Sequence, residues 1–150
     1  MWYSQWSAQP LDCWPNMRRI VLASHHQMAD GLKDTLQFLS AMENVSAISA
    51  YIDETLIEDQ IDKLFNEFDE EDEIFILTDM LGGSVNQKFF GRMNDHVHVI
   101  CGMNLPLALT LALQPEGRLT AAQVADIVAE ARNQLIYMNT YQQSENDDDE

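Results

Sequence analysis

The sequence predicts an α/β protein with a doubly wound, mostly parallel sheet, and two observations carry this prediction. Short apolar runs, typical of strands buried on both faces, alternate four times with segments of helical periodicity. The 150 residues are 46% hydrophobic, which is enough to build the core of one domain of this size. Strand–helix–strand units connect through right-handed crossovers, and a common result for four strands is the sheet order 2-1-3-4.

Each element is predicted from its local pattern. The strands are 20–23, 45–52, 74–77 and 97–101, and the helices are 29–42, 55–68, 84–93, 105–113 and 120–132. Thr55 and Thr120 are the expected N-caps of the second and fifth helices, because a side-chain oxygen at this position accepts a hydrogen bond from a free amide. Residues 135–141 could continue the last helix or form a final strand, and we predict an antiparallel strand at the sheet edge.

Three regions follow from composition. Residues 1–16 hold all three tryptophans and two of the four prolines without any helical or strand period, so we interpret them as an N-terminal extension. Their tryptophans could alternatively cap the core. The α/β domain spans 17–142, and the acidic residues 143–150 are expected to be a disordered tail.

Charge and cysteine content exclude several classes of function. The chain carries 25 Asp and Glu against 8 Lys and Arg, and this net charge of −17 repels phosphate backbones, so no nucleic-acid partner is expected. Cys13 and Cys101 match no zinc or disulfide spacing, and we predict neither a metal nor a cofactor. No run approaches the ~20 apolar residues of a membrane span and no secretory signal is recognisable, so we expect a cytoplasmic protein without membrane insertion.

The candidate chemistry lies at the switch point of the predicted sheet. Ligands of doubly wound sheets bind beyond the carboxyl ends of the strands, where the chain order reverses, and this selects loops 24–31 and 78–86. His25 follows the first strand and Asp79 the third, so the carboxylate could fix the imidazole tautomer. Gly82, Gly83 and Ser84 lead into a helix and could cradle an anion. Together these residues indicate a histidine that accepts phosphate.

Other interpretations of the same residues remain open at this point. A histidine at a strand end is often structural, and Asp79 could cap the following turn. Ser24 or Ser84 could form a hydrolase triad with His25 and Asp79, although no Gly-x-Ser-x-Gly elbow is present. A metal site of His25 with His26 is not favoured, since neighbouring side chains at a strand end point apart.

Segments 20–32, 77–86 and 100–106 resemble the enzyme IIA component of mannose-family sugar phosphotransferase systems. The Asp-x-x-Gly-Gly-Ser-x-Asn and Gly-x-Asn-x-Pro patterns carry this resemblance. It implies that His25 carries a phosphoryl group, that Asp79 orients its imidazole and that Ser84 contacts the phosphate. The remaining motif residues, implied to take part in binding, are Gly82, Gly83, Asn86 and Asn104.

The resemblance also implies partners and an assembly. Such a protein receives its phosphoryl group from the phosphocarrier HPr and passes it to a IIB component, and through it to the membrane components IIC and IID. It is a cytoplasmic homodimer that exchanges a C-terminal strand, here residues 135–140. One departure is His26, where the family usually has glycine; a bulkier residue there could crowd a partner or offer a second phosphorylation site.

Two rival functions remain open. The first is a receiver-like regulatory domain phosphorylated on Asp79, but the first strand ends in Ser24-His25-His26 rather than the acidic pair that holds Mg²⁺. The second is a non-catalytic docking module with the same fold. The sugar is not predictable, because the membrane components determine it.

Overall fold

One four-stranded parallel sheet organises the protein. The computed structural model describes residues 17–141. The strands, in chain order, are β1 (Arg18–His25), β2 (Val45–Ala50), β3 (Glu73–Thr78) and β4 (Val97–Cys101). Their order across the sheet is β2-β1-β3-β4, and all three neighbouring pairs are parallel. The doubly wound α/β fold and the order 2-1-3-4 are therefore confirmed.

Within residues 17–141, five α-helices cover the sheet. They are α1 (Met28–Ser40), α2 (Ile57–Asn66), α3 (Ser84–Gln87), α4 (Leu105–Ala112) and α5 (Ala121–Arg132). Thr120 caps α5 as predicted, and its hydroxyl accepts the Gln123 amide while the Gln123 side chain accepts the Thr120 amide. Thr55 does not cap α2, since the N-cap there is Leu56. The helix predicted for 84–93 is shorter, because a separate 3₁₀ turn (Phe90–Arg92) containing Gly91 follows it.

The two faces of the sheet hold two cores. Side chains of β1 and β3 alternate between them, so both central strands are buried on both sides. One core contains Ile20, Leu22, Phe75 and Leu77 with side chains of α1, α4 and α5. The other contains Val21, Ala23, Ile74 and Ile76 with side chains of α2 and α3. Burial of each such aliphatic side chain contributes about 1.5–3 kcal/mol to the stability of the fold. The two cores therefore hold the ends of β1 and β3, where the site lies, in place.

Two ion pairs close the amino end of the sheet. Arg18 Nε lies 2.7 Å from Glu73 Oε1, and both side chains are buried. Three carbonyl oxygens of residues 114–117 accept from the Arg18 guanidinium, and the Leu119 amide donates to Glu73 Oε2. Asp72 accepts from Arg19 and from the Met17 amide. These charges therefore tie the loop before α5 and the start of β1 to the core.

The predicted antiparallel edge strand is wrong for the single chain. Residues 138–140 form a 3₁₀ turn (Met138–Thr140) instead of a strand. Leu135 is 91% exposed and Tyr137 68% exposed, so no buried surface offsets the entropy lost on ordering a strand. The predicted extension 1–16 and tail 143–150 lie outside the described residues. No helix within 17–141 is both long enough and apolar enough to cross a bilayer.

Candidate functional site

Three of the predicted site residues meet at the carboxyl edge of the sheet. His25 is the last residue of β1, and Asp79 follows β3 directly. The register pairs Ala23 with Thr78, which brings the two strand ends side by side. Ser84 begins α3, a few residues after Asp79. The structure thus places His25, Asp79 and Ser84 together at the switch point.

Asp79 holds His25 by two hydrogen bonds. Asp79 Oδ2 lies 2.7 Å from the His25 amide nitrogen and 2.7 Å from His25 Nδ1. Its other oxygen accepts from the Met80 amide at 3.0 Å. Partial burial raises the pKa of Asp79, but the hydrogen bonds and charge of His25 outweigh it and hold this pKa below its ordinary value. The carboxylate is therefore ionised at neutral pH and can only accept.

This geometry decides which imidazole nitrogen is free. Since an ionised carboxylate only accepts, Nδ1 must carry the proton of the neutral ring. Nε2 then keeps its lone pair, and the His25 side chain is 41% exposed. A nitrogen with a lone pair on an exposed, oriented imidazole is a nucleophile.

Ser84 stands on the far side of the imidazole. Its Oγ is 3.5 Å from His25 Nε2, which is a long contact. The start of α3 is fixed from below by the buried Val85 and by Asn86, whose Oδ1 accepts from the Thr78 hydroxyl at 2.8 Å. Asn86 thus supports the site from inside the protein, and its side chain points away from solvent.

The two glycines shape the turn into α3. Gly82 has φ +78°, a left-handed conformation that side chains disfavour. A Cβ on Gly83 would stand 3.3 Å from His25 Cε1 and 3.1 Å from Met80 Cγ. Gly83 therefore lets the turn pass against the imidazole. The first amides of α3 have no intrahelical acceptor.

Asn104, another predicted binding residue, has a capping role. Its Oδ1 accepts from the Leu107 amide at 2.8 Å as the N-cap of α4, and its Nδ2 approaches the Ala131 carbonyl at 3.4 Å. These bonds join α4 to α5 at the end of β4. The hydrogen bonds of Asn104 do not involve the His25 group.

The neighbours of His25 have separate roles. Ser24 is fully buried; its Oγ accepts from the Ala29 amide at 2.7 Å and donates to the His26 carbonyl. This hydroxyl is therefore no nucleophile, and a hydrolase triad would have to use Ser84. His26 is exposed and has φ +57°, the left-handed conformation that suits glycine.

Sequence reasoning missed Tyr51. Its hydroxyl lies 2.7 Å from Ser84 Oγ, and its ring centroid is 5.4 Å from that of His25. The only available signal was positional, since β2 pairs Ala50 with His25 and Tyr51 comes next. Five large apolar side chains at this edge, on its loops or at the start of α1, are also exposed: Met28, Ile52, Leu56, Met80 and Leu81.

A parallel sheet of order 2-1-3-4 with an oriented histidine at the switch point defines a doubly wound α/β protein with a nucleophilic site. A family model, the EIIA-man family described as the PTS (phosphotransferase system) fructose IIA component, matches residues 19–129. The chain therefore belongs to this family of phosphotransferase system IIA components.

Solved structures agree with this assignment. The chain is 26% identical, with a TM-score of 0.76, to a Klebsiella pneumoniae protein described as a phosphoenolpyruvate-dependent sugar phosphotransferase system permease; the match covers 83% of this chain and 93% of that one. The IIA protein associated with a fucose utilization operon of Streptococcus pneumoniae is 24% identical (TM-score 0.71, 83% and 95% covered). The mannose/sorbose-specific IIA subunit of Enterococcus faecalis is 17% identical (TM-score 0.66, 85% and 99% covered).

The last two likenesses show the fold alone. No curated protein matches the chain significantly. Within 17–141, no three His, Cys, Asp or Glu side chains cluster in a way that could hold a metal ion.

Proposed function

We propose that this protein is a phosphohistidine carrier, which receives a phosphoryl group from HPr and passes it to a IIB component during phosphoenolpyruvate-dependent sugar uptake. One observation carries the proposal: His25 Nε2 has a free lone pair at an exposed edge, because Asp79 holds Nδ1 at 2.7 Å. Membership of the IIA family supports the same reaction class. The catalytic residues are His25, Asp79 and Ser84.

The imidazole of His25 neither gains nor loses a proton in the transfer step. The Nε2 lone pair forms the new N–P bond while the bond from phosphorus to the donor atom of HPr breaks, and its electron pair stays with the donor. Nδ1 keeps its proton, so the ring becomes cationic as Nε2 bonds to phosphorus. The Asp79 carboxylate, 2.7 Å from Nδ1, stabilises this charge. Transfer to IIB is the reverse reaction with another acceptor.

The edge also offers donors to the phosphoryl oxygens. Phosphoryl transfer passes through a loose transition state with its charge spread over the equatorial oxygens, so alignment and donors matter most. The Ser84 hydroxyl and the first amides of α3, reached through Gly82 and Gly83, are neutral donors at this place. Because they bring no full positive charge, cations of the docking partner complete the neutralisation.

The surface around the site suits protein partners. The five exposed apolar side chains of this edge form a docking rim, as large apolar groups do at protein interfaces. At the same edge, Asp53 and Glu54 precede α2, and Glu58 and Asp59 lie in its first turn. HPr and IIB are therefore expected to dock with basic residues. We expect the relay to operate in the cytoplasm, and the membrane components IIC and IID to be reached only through IIB.

A transfer assay with phosphoenolpyruvate, enzyme I and HPr tests the proposal. The wild-type chain should become labelled, and His25→Ala should abolish the label. His96→Ala is a matched control, because His96 Nδ1 is also 2.7 Å from an aspartate (Asp95) while its Nε2 faces the Glu70 carbonyl and must be protonated.

The chemistry of the label distinguishes the rivals. A phosphohistidine is acid-labile and alkali-stable, and it should form in the presence of EDTA when purified phospho-HPr is the donor. A label that hydroxylamine removes would indicate phosphoaspartate at Asp79 and a receiver-like function. Binding of HPr without any label would indicate a docking module. Persistence of the label in His25→Ala would contradict the assignment of His25.

We also propose that the protein is a homodimer joined through residues 135–140. The exposed apolar side chains Leu135, Tyr137 and Met138 support this, since they lack burial in the single chain. Sedimentation at micromolar concentration should show a dimer, and a chain ending at Gln134 should be a less stable monomer. Removal of 143–150 is the control and should keep the dimer. A monomeric full-length chain would contradict the proposal.

A further inference from the structure

Tyr51 reaches the site from the opposite side to Ser84. It follows β2, whereas Ser84 follows β3, and β1 lies between these strands. The hydrogen bond of 2.7 Å between Tyr51 Oη and Ser84 Oγ therefore spans the end of β1, where His25 stands. The Tyr51 ring also packs against the imidazole, with centroids 5.4 Å apart and ring planes at 37°.

The backbone of Tyr51 adopts an uncommon conformation to make this contact. Its φ is +66°, which few non-glycine residues adopt and which is unfavourable for an aromatic residue. The preceding residue, Ala50, still continues the strand ladder, since its carbonyl accepts the His26 amide at 2.8 Å. The chain thus leaves the sheet at Tyr51. Strained residues of this kind concentrate at functional sites.

The direction of the hydrogen bonds follows from the state of the imidazole. Since Nε2 carries a lone pair, it can only accept, so the hydroxyl proton of Ser84 is the one available to it. Ser84 Oγ is then left with lone pairs only on the side of Tyr51, and the Tyr51 hydroxyl must donate. The order is Tyr51 O–H to Ser84 Oγ, and Ser84 O–H toward His25 Nε2, across 2.7 and 3.5 Å.

We propose that Tyr51 is a positioning residue of this site, and this inference rests on the proposed phosphohistidine function. Its hydroxyl fixes the Ser84 hydroxyl as a donor to the place where the phosphoryl group is bound. Once Nε2 is bonded to phosphorus it has no lone pair, and the Ser84 proton turns to a phosphoryl oxygen. The Tyr51 hydroxyl keeps donating to Ser84 Oγ and so keeps it aligned. Donation to Oγ also makes Ser84 a poorer nucleophile, which disfavours a hydrolase-type reaction.

The test compares four chains: wild type, Tyr51→Phe, Ser84→Ala and the double variant. Each is phosphorylated with phosphoramidate, a small donor that needs no protein partner, and the phosphohistidine is followed by ³¹P NMR. Tyr51→Phe keeps the ring and should slow labelling or shorten the phosphohistidine lifetime by about 2- to 12-fold, the range for one hydrogen bond between neutral groups. The control is Tyr141→Phe, the same change at a tyrosine that is 47% exposed against 51% for Tyr51.

A double-mutant cycle separates positioning from a merely structural role. If Tyr51 acts through Ser84, Tyr51→Phe has no further effect in the Ser84→Ala chain. An effect of the full size in that background, or a wild-type rate and lifetime in Tyr51→Phe alone, would overturn the inference. Thermal unfolding of the four chains checks that the kinetic differences do not follow stability.

A readout without phosphate distinguishes failure of this inference from failure of the proposed function. The ¹⁵N resonance of His25 Nε2 reports the hydrogen bond from Ser84 in the unphosphorylated protein. We expect it to move in Tyr51→Phe and to stay in Tyr141→Phe. If no chain accepts a phosphoryl group from phosphoramidate or from HPr, the proposed function fails, and this ¹⁵N shift still decides whether the hydrogen bond of Tyr51 exists. An unchanged resonance would overturn the inference.

Discussion

At the amino ends of the strands Arg18 Nε lies 2.7 Å from Glu73 Oε1, and at the carboxyl ends His25 Nδ1 lies 2.7 Å from Asp79 Oδ2. The first pair is 8% and 0% exposed, and carbonyls and an amide occupy its remaining polar atoms. The second pair is 41% and 10% exposed, and it leaves Nε2 with a lone pair. An equal distance therefore serves two purposes. A reactive pair differs from a structural pair in two respects: one of its nitrogen atoms keeps a free lone pair, and that atom is exposed to solvent.

The largest effect expected from this comparison concerns Asp79. Asp79→Asn removes the charge that selects the Nδ1–H tautomer and stabilises the cationic ring. Phosphoryl transfer from HPr should slow by about 10²–10⁴-fold, the range for lost acid–base assistance, while the fold remains. Stopped-time labelling with HPr measures the rate. Asp95→Asn, at the other His–Asp pair of 2.7 Å, is the control and should transfer normally.

A rate within a few-fold of wild type in Asp79→Asn would contradict the role of the carboxylate. It would mean that the backbone alone orients the imidazole. Circular dichroism of the variant must then show the native fold, since Asp79 also accepts from the His25 and Met80 amides.

The grouping of His25, Asp79 and Ser84 was predictable, because adjacent parallel strands end at one edge of a sheet. The use of each motif residue was not. Asn86 turns inward to Thr78, and Asn104 caps α4, since side-chain direction depends on packing that a motif does not encode. Tyr51 arrives through a positive φ, which no pattern of residues signals for a tyrosine.

The amino end and the C-terminal segment show the same limit. Arg18 begins a strand, where a charged side chain usually lies in solvent, and only the packed loop 113–119 reveals its acceptors. Residues 135–141 have an apolar strand pattern, but a strand forms only beside a partner edge. Periodicity predicts an element, whereas tertiary contacts decide whether it pairs and what its polar groups bind.

The second variant, Glu73→Gln, breaks the ion pair at the amino end. Glu73→Gln leaves Arg18 buried without its counter-ion, and the free energy of unfolding should fall by about 3 kcal/mol, the lower part of the range for a broken buried pair. The lower part applies because three carbonyls still accept from Arg18. Urea denaturation measures the loss. Phosphoryl transfer per folded molecule should stay unchanged, which separates the two ends.

The control for that variant is Glu71→Gln, at an exposed pair with Arg118, where stability should barely change. A Glu73→Gln chain as stable as wild type would show that the amino-end pair adds nothing to the fold. If folded Glu73→Gln molecules accepted the phosphoryl group more slowly than wild type, the two ends of the sheet would be coupled.

Acid pH is expected to weaken both ends, by smaller amounts. Partial burial raises the pKa of Asp72, but the hydrogen bonds from Arg19, Met17 and Asp69 hold it below its ordinary value, as those from His25 do for Asp79. A carboxyl with a depressed folded pKa stabilises the protein above its unfolded pKa of about 3.9, and this contribution is lost as pH falls through the folded pKa.

Unfolding measured from about pH 6 down to about pH 2 should therefore show stability declining below about pH 4. Asp72→Asn and Asp79→Asn should each make this decline shallower. A decline that is unchanged in both variants would mean that neither hydrogen-bonded carboxylate contributes to acid sensitivity.

The smallest effect concerns His26, the exposed neighbour of the nucleophile. His26 and Ala41 have φ values of +57° and +58°, where a Cβ is unfavourable, so glycine relieves strain at both positions. The greater freedom of glycine in the unfolded chain offsets most of this gain, and the free energy of unfolding should change by less than about 1 kcal/mol in His26→Gly and in Ala41→Gly. Labelling should persist in both, because His25 alone has the oriented Nε2.

If His26→Gly lost its label while Ala41→Gly kept it, His26 would belong to the carrier site. If His26→Gly lowered only the KM for HPr, the histidine would act by crowding the docking partner, and the exposed side of the edge would then tune recognition while the Asp79-held side performs the transfer.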